Sequence, residues 1–116
     1  MSIIIVAEDD FIMSEYLSGI LAEKGYSVIA VANADDAIAM FDYRDDVRML
    51  ITDIGMPGPI NGLNLAATVR DRWPLVKIII TTGRELPKIE EVPAGSLYLR
   101  KPYTPGSVMA AVLSLF

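Results

Sequence analysis

The chain has 116 residues, 53% of them hydrophobic, and a net charge of −5, which suits one domain able to close its own core. Cysteine and histidine are absent, so disulfides, thiolate zinc sites, thiol nucleophiles and histidine general bases are excluded, and chemistry is left to carboxylates, hydroxyls, lysine and arginine. The acidic balance argues against direct nucleic-acid binding. No apolar run nears the roughly 20 residues of a membrane span, and Met1 to Val6 lacks the features of a signal peptide, so a soluble cytoplasmic protein is expected.

Short apolar runs rich in β-branched residues fall at Ile3 to Val6, Ser27 to Val31, Met49 to Ile54, Lys77 to Thr81 and Ser96 to Leu99, and helical periodicity fills most of the gaps. In the first gap Phe11, Ile12, Tyr16, Leu17, Ile20 and Leu21 recur at three- and four-residue spacing, and Lys24-Gly25 supplies a residue free to turn left-handed and end the helix. Asn33 precedes a helix over Ala34 to Phe41, and Asn61 one over Leu63 to Arg72, each as N-cap, with Trp73-Pro74 ending the latter. Trp73 itself reads as packing at that helix end. Thr104-Pro105 is an N-cap and first helical position for a last helix running to the end of the chain. That helix is nearly all apolar, a composition that predicts burial on more than one side or a protein contact surface. Apolar strands joined by helices imply a parallel sheet covered on both faces, a doubly wound α/β fold.

Between Thr82 and Leu97 the pattern breaks. Pro87 and Pro93 interrupt the stretch without a complete amphipathic repeat, so a loop or at most a short turn of helix is expected there. No linker, repeat or second domain is visible, and residues 1–116 read as one domain.

In an open α/β sheet, ligands bind beyond the carboxyl ends of the strands. Four of those ends carry suitable groups: Glu8-Asp9-Asp10, Asp53, Thr82 and Lys101. Asp53 closes the most apolar central run and stands just before the turn Gly55 to Gly62, although aspartate is depleted in strands and costly to bury unpaired. Carboxylates converging in one pocket repel and call for a cation, and an all-oxygen set suits Mg²⁺. A hydroxyl and an ammonium facing the same pocket would hold phosphoryl oxygens, which makes Asp53 the candidate nucleophile for an aspartyl phosphate. Asp10 reads first as the N-cap of the first helix and only second as a metal ligand.

Glu8-Asp9, Asp53-Ile54-Gly55-Met56-Pro57 with Asn61-Gly62, Thr82-Gly83, Tyr98 and Lys101-Pro102-Tyr103 follow one another in order, with spacings of 44, 29 and 19 residues from Asp9 through Asp53 and Thr82 to Lys101. In this the chain resembles, over essentially its whole length, the receiver domain of bacterial two-component response regulators. The resemblance implies a flavodoxin-like five-stranded sheet in the order 2-1-3-4-5. It implies that Asp53 accepts a phosphoryl group from the phosphohistidine of a sensor kinase or histidine phosphotransfer protein, and that Glu8, Asp9, Asp53 and the Gly55 carbonyl hold Mg²⁺. Thr82 would be the switch hydroxyl and Tyr98 the aromatic that turns in behind it. Lys101 would meet the phosphoryl oxygens, with a cis peptide to Pro102.

Such a domain is a signalling module, catalysing only its own phosphorylation and dephosphorylation. Two departures stand out. Gly55 and Arg84 occupy the positions that tune phosphate lifetime in the family, with Arg84 a candidate shield of the phosphoryl group or partner of an acid in the empty site, and the helix between the fourth and fifth strands is weak. A receiver excised from a hybrid kinase or larger regulator, relaying phosphate onward, is the alternative, followed by a phosphate-independent interaction module and an Mg²⁺ phosphohydrolase. The cognate kinase, the downstream target and any homodimer are not specified by the residues.

Overall fold

The structure is a computed structural model that describes residues 3–83 and 92–116. Five strands, β1 (Ile3–Ala7), β2 (Ser27–Val31), β3 (Val47–Asp53), β4 (Lys77–Thr82) and β5 (Leu97–Arg100), alternate with helices α1 (Phe11–Glu23), α2 (Ala34–Tyr43), α3 (Gly62–Arg72) and α4 (Pro105–Leu115). All strand pairs are parallel, in the order β2-β1-β3-β4-β5. This is the doubly wound sheet expected, with strand bounds shifted by a residue or two: β3 begins earlier, at Val47, and β5 runs to Arg100.

Alternation along the strands builds two cores. Ile3, Ile5, Ala7, Leu50, Ile78 and Ile80 face α2 and α3, where they meet Ala34, Ala37, Phe41, Leu65, Ala66 and Val69. Ile4, Val6, Met49, Ile51 and Ile79 face α1 and α4 and meet Leu17, Ile20, Leu21, Val108 and Val112. Burying each of the larger aliphatic chains contributes about 1.5–3 kcal/mol. The edge strand β2 is only half-buried, whereas β1, β3 and β4 are closed on both faces.

The helix ends follow the capping residues. Asp10 accepts hydrogen bonds from the amides of Ile12 and Met13, Asn33 from Asp36, Asn61 from Asn64 and Thr104 from Ser107, each satisfying an orphan donor of a first turn. Past α1, Gly25 takes a φ of 92°, and its amide reaches back to the Ala22 carbonyl at 3.0 Å, a left-handed stop that glycine adopts without a Cβ penalty. Trp73 closes α3 by stacking on Phe41 at 5.0 Å between ring centroids, under the Arg72 guanidinium at 4.3 Å.

Two faces differ from the sequence expectation. Phe11 and Ile12 share the periodicity of α1 but are 74% and 77% exposed, while Met13 packs partly against the core and Leu17, Ile20 and Leu21 are buried in it. In α4 only Val108 and Val112 are buried, while Leu113 and Phe116 are 61% and 49% exposed. The helix therefore covers the sheet with one face and turns an apolar face outward. Of the stretch between Thr82 and Leu97 expected as a loop or at most a short turn of helix, residues 92–96 are bend and turn, while residues 84–91, with Arg84, lie outside the described residues.

Candidate functional site

Register places the site. Ala7 lies opposite Thr52, Asp53 opposite Thr81 and Thr82 opposite Arg100, so Glu8, Asp53, Thr82 and Lys101 leave the sheet at nearly one level. Carboxylate oxygens of Glu8, Asp9 and Asp53 lie within 4.8 Å of one another. Lys101 Nζ bridges two of them, at 2.7 Å from Glu8 Oε1 and 3.3 Å from Asp53 Oδ2.

The pocket grades from buried to open. Glu8 is 4% exposed; its amide donates to the Val31 carbonyl at 3.0 Å, and its Oε2 accepts from the Asp10 amide at 3.1 Å. Burial raises the Glu8 carboxyl above its ordinary value, and the hydrogen bonds from Lys101 and the Asp10 amide offset only part of that, while the Asp53 charge adds to it. For Lys101 burial acts to lower the ammonium, but the Glu8 hydrogen bond and the charges of Asp53 and Glu8 outweigh it and hold the group above its ordinary value. Asp9 is exposed at the mouth.

Asp10 belongs to the helix and not to the cluster: its side chain caps α1. Thr82 is 3% exposed at the end of β4, and its carbonyl accepts from the Lys101 amide at 2.8 Å, tying β4 to the lysine. Tyr98 is half-buried and packs against the core on the α2 and α3 side. Gly55 is exposed on the loop after β3, with open space where a Cβ would stand. The Lys101–Pro102 peptide is cis.

Three residues enter the site beyond those singled out for roles in the sequence. Tyr103, buried beside Lys101-Pro102, stacks on Tyr16 with centroids 6.0 Å apart, and burial pushes its phenol up to about 12, with the charges of Glu8 and Asp53 adding to the effect. Its position next to the Lys-Pro pair was the available signal. Thr52 donates its hydroxyl to the Asp53 carbonyl at 3.0 Å. Gly62 packs against that same carbonyl so tightly that a Cβ there would lie 1.8 Å from the oxygen. Gly62 stood in the Asn61-Gly62 motif, but neither its approach to the Asp53 carbonyl nor the bond from Thr52 to the neighbouring residue's carbonyl can be read from side-chain pattern.

Charge and donor chemistry fit a hard divalent cation. Ionised Glu8, Asp9 and Asp53 against one ammonium leave two negative charges uncompensated, and the donors are all oxygen, the set that suits Mg²⁺.

A parallel sheet in this order, with an acidic cluster and a lysine at the carboxyl ends of its strands, defines a flavodoxin-like receiver. The family model for the response regulator receiver domain matches residues 4–113, and the chain belongs to that family, whose members are signalling domains of two-component systems. It is 32% identical to the transcriptional regulatory protein AruR of Pseudomonas aeruginosa, over 97% of this chain and 48% of that protein. To the two-component response regulator PhoP of the same organism it is 32% identical, over 86% of this chain and 45% of that one. The chain thus spans about half the length of these curated relatives. Among solved structures, a response regulator receiver protein from Sinorhizobium medicae superposes with a TM-score of 0.92 at 26% identity, covering 98% of this chain and 93% of that one. The response regulator TrrA of Thermotoga maritima, in complex with Mg²⁺ and BeF, superposes with a TM-score of 0.87 at 27% identity over the full length of both chains.

Proposed function

We propose that this domain accepts a phosphoryl group on Asp53 from a phosphohistidine of a sensor kinase or phosphotransfer protein, and that the modification switches its affinity for a protein target. The observation that carries this reading is the placement of the Asp53 carboxylate 3.3 Å from Lys101 Nζ, in one cluster with Glu8 and Asp9. An Asp53 oxygen bonds to phosphorus as the bond from phosphorus to the donor nitrogen breaks; that nitrogen keeps the electron pair and takes up a proton. Catalysis of such a transfer is mostly positioning and charge neutralisation, and Lys101 offers its ammonium to the equatorial oxygens.

Glu8, Asp9, Asp53 and the Gly55 carbonyl would hold Mg²⁺, which when bound supplies neutralising charge to the phosphoryl oxygens. Thr82 is the switch hydroxyl, Tyr98 the aromatic that follows it, and Arg84 a shield of the phosphoryl group. We place the domain in the cytoplasm with its phosphate donor; no helix among the described residues is long and apolar enough to cross a membrane.

Intact-mass spectrometry after incubation with Mg²⁺ and acetyl phosphate tests the reading. A single phosphoryl adduct on the wild type that is lost in Asp53→Ala supports it. No adduct on either protein would replace it with a phosphate-independent interaction module.

A further inference from the structure

The peptide that follows Asp53 is held at both of its polar ends. Its carbonyl, the Asp53 oxygen, accepts from the Thr52 hydroxyl at 3.0 Å, and its N–H, on Ile54, donates to the Thr81 carbonyl at 3.2 Å. The next carbonyl, of Ile54, accepts from the Gly62 amide at 2.8 Å. A Cβ on residue 62 would stand 1.8 Å from the Asp53 oxygen, 2.6 Å from its carbonyl carbon and 2.8 Å from Ile54 Cα. An alanine there would drive α3 or the Asp53 peptide back by more than an ångström before reaching the 3.0 Å that Cβ contacts respect.

Thr52 is 0% exposed in a central strand, a position where valine has the same shape and β-propensity without the cost of burying a hydroxyl. Its hydroxyl is spent on the Asp53 carbonyl.

We propose that Thr52 and Gly62 are positioning residues for Asp53: together they fix the Asp53–Ile54 peptide, so that the carboxylate keeps its place beside Lys101 and Gly55 keeps its place on the loop. The inference rests on the reading of Asp53 as phosphoacceptor. Neither residue touches the phosphoryl group; each acts through the backbone that carries the nucleophile.

The test compares Thr52→Val, Thr52→Ser and Gly62→Ala with the wild type, well below each melting temperature. Its readouts are the rate of Mg²⁺-dependent adduct formation from acetyl phosphate, Mg²⁺ affinity from thermal shifts, and hydrogen exchange at the Ile54 amide without metal. Loss of about an ångström of alignment costs on the order of a hundredfold in rate, the effect expected for Gly62→Ala. The smaller loosening in Thr52→Val should slow the adduct about tenfold and speed Ile54 exchange, and Thr52→Ser should restore both.

Variants that melt earlier yet phosphorylate at the wild-type rate, with unchanged Mg²⁺ dependence, would overturn the proposal and leave both residues as packing. If Gly62→Ala does not fold, the valine and serine pair decides. If the wild type itself takes no phosphoryl group, the Asp53 reading fails separately, and the positioning claim then falls if Mg²⁺ affinity and Ile54 exchange are unchanged in Thr52→Val.

Discussion

Replacing Lys101 by methionine keeps the aliphatic stem and removes the only ammonium that the described contacts place between Glu8 and Asp53. At an effective dielectric of about 20, charges 2.7 and 3.3 Å apart attract by roughly 6 and 5 kcal/mol, most of which desolvation cancels. Removing one partner of a buried pair nonetheless costs about 3–5 kcal/mol, because the other charge stays buried. Lys101 and Asp53 keep 19% and 14% of their side chains in contact with solvent, which puts the loss near the low end, about 3 kcal/mol at pH 8. With an unfolding entropy of about 2.1 cal/mol/K per residue, that is a fall of roughly 12 °C in Tm.

The loss depends on pH. Without the ammonium, the folded value of Glu8 moves further above its ordinary value of 4.5, the direction in which burial already drives it. A carboxyl raised by folding contributes stability that is present below its unfolded value and lost as pH rises through its folded value. The deficit of Lys101→Met should therefore be full at pH 8 and shrink as pH falls to 4.5, where the raised Glu8 carboxyl takes up its proton. Thermal unfolding followed by circular dichroism at the two pH values, without Mg²⁺, measures it. An equal deficit at both values, or none at pH 8, would refute the electrostatic reasoning and assign the lysine to packing.

Other consequences can be checked as directly. Mg²⁺ at a hundred times its Kd should stabilise the wild type by about 2.7 kcal/mol, and Asp9→Asn should weaken the binding that produces the shift, read as a higher Mg²⁺ concentration for the same rise in Tm. The Tyr103 phenol, pushed up to about 12 by burial, should ionise late in a titration of phenolate absorbance and vanish from it in Tyr103→Phe. Because its folded value is raised, the stability linked to it is present below an ordinary phenol's range and lost as pH climbs toward 12. Trp73→Ala removes the stack on Phe41 and should cost about 2 kcal/mol, less than a fully buried tryptophan. Denaturant unfolding measures that loss, while the rate of phosphoryl adduct formation stays at the wild-type level.

Strand and helix order were legible because each element's own residues carry the cause: β-branched runs, Gly25 past α1, and Asn33, Asn61 and Thr104 as caps. The convergence of Glu8, Asp9, Asp53 and Lys101 was legible for a different reason, since parallel strands bring their carboxyl ends to one edge. Periodicity misled at Phe11 and Ile12, which are exposed: spacing says which residues share a helix face, not which of them the rest of the fold covers. In α4 an apolar composition left burial on more than one side and a contact surface both open; the helix buries Val108 and Val112 fully and Met109, Ala111 and Leu115 in part, and leaves Leu113 and Phe116 exposed. Gly62 stood in the Asn61-Gly62 motif, but what it and Thr52 do stayed hidden, because their partner is a backbone carbonyl and a main-chain contact leaves no mark on the pattern of side chains.

Glu8 and Lys101 are separated by 93 residues, and the ion pair between them joins the loop after the interior strand β1 to the loop after the edge strand β5. Contacts this far apart in the chain form only after a large loop has closed, which is slow. A molecule whose sheet has condensed but whose last strand has not yet docked has its carboxylates and lacks their lysine. On the proposed reading of Asp53 as phosphoacceptor, uptake of phosphate then doubles as a report that the last strand stands beside the carboxylates.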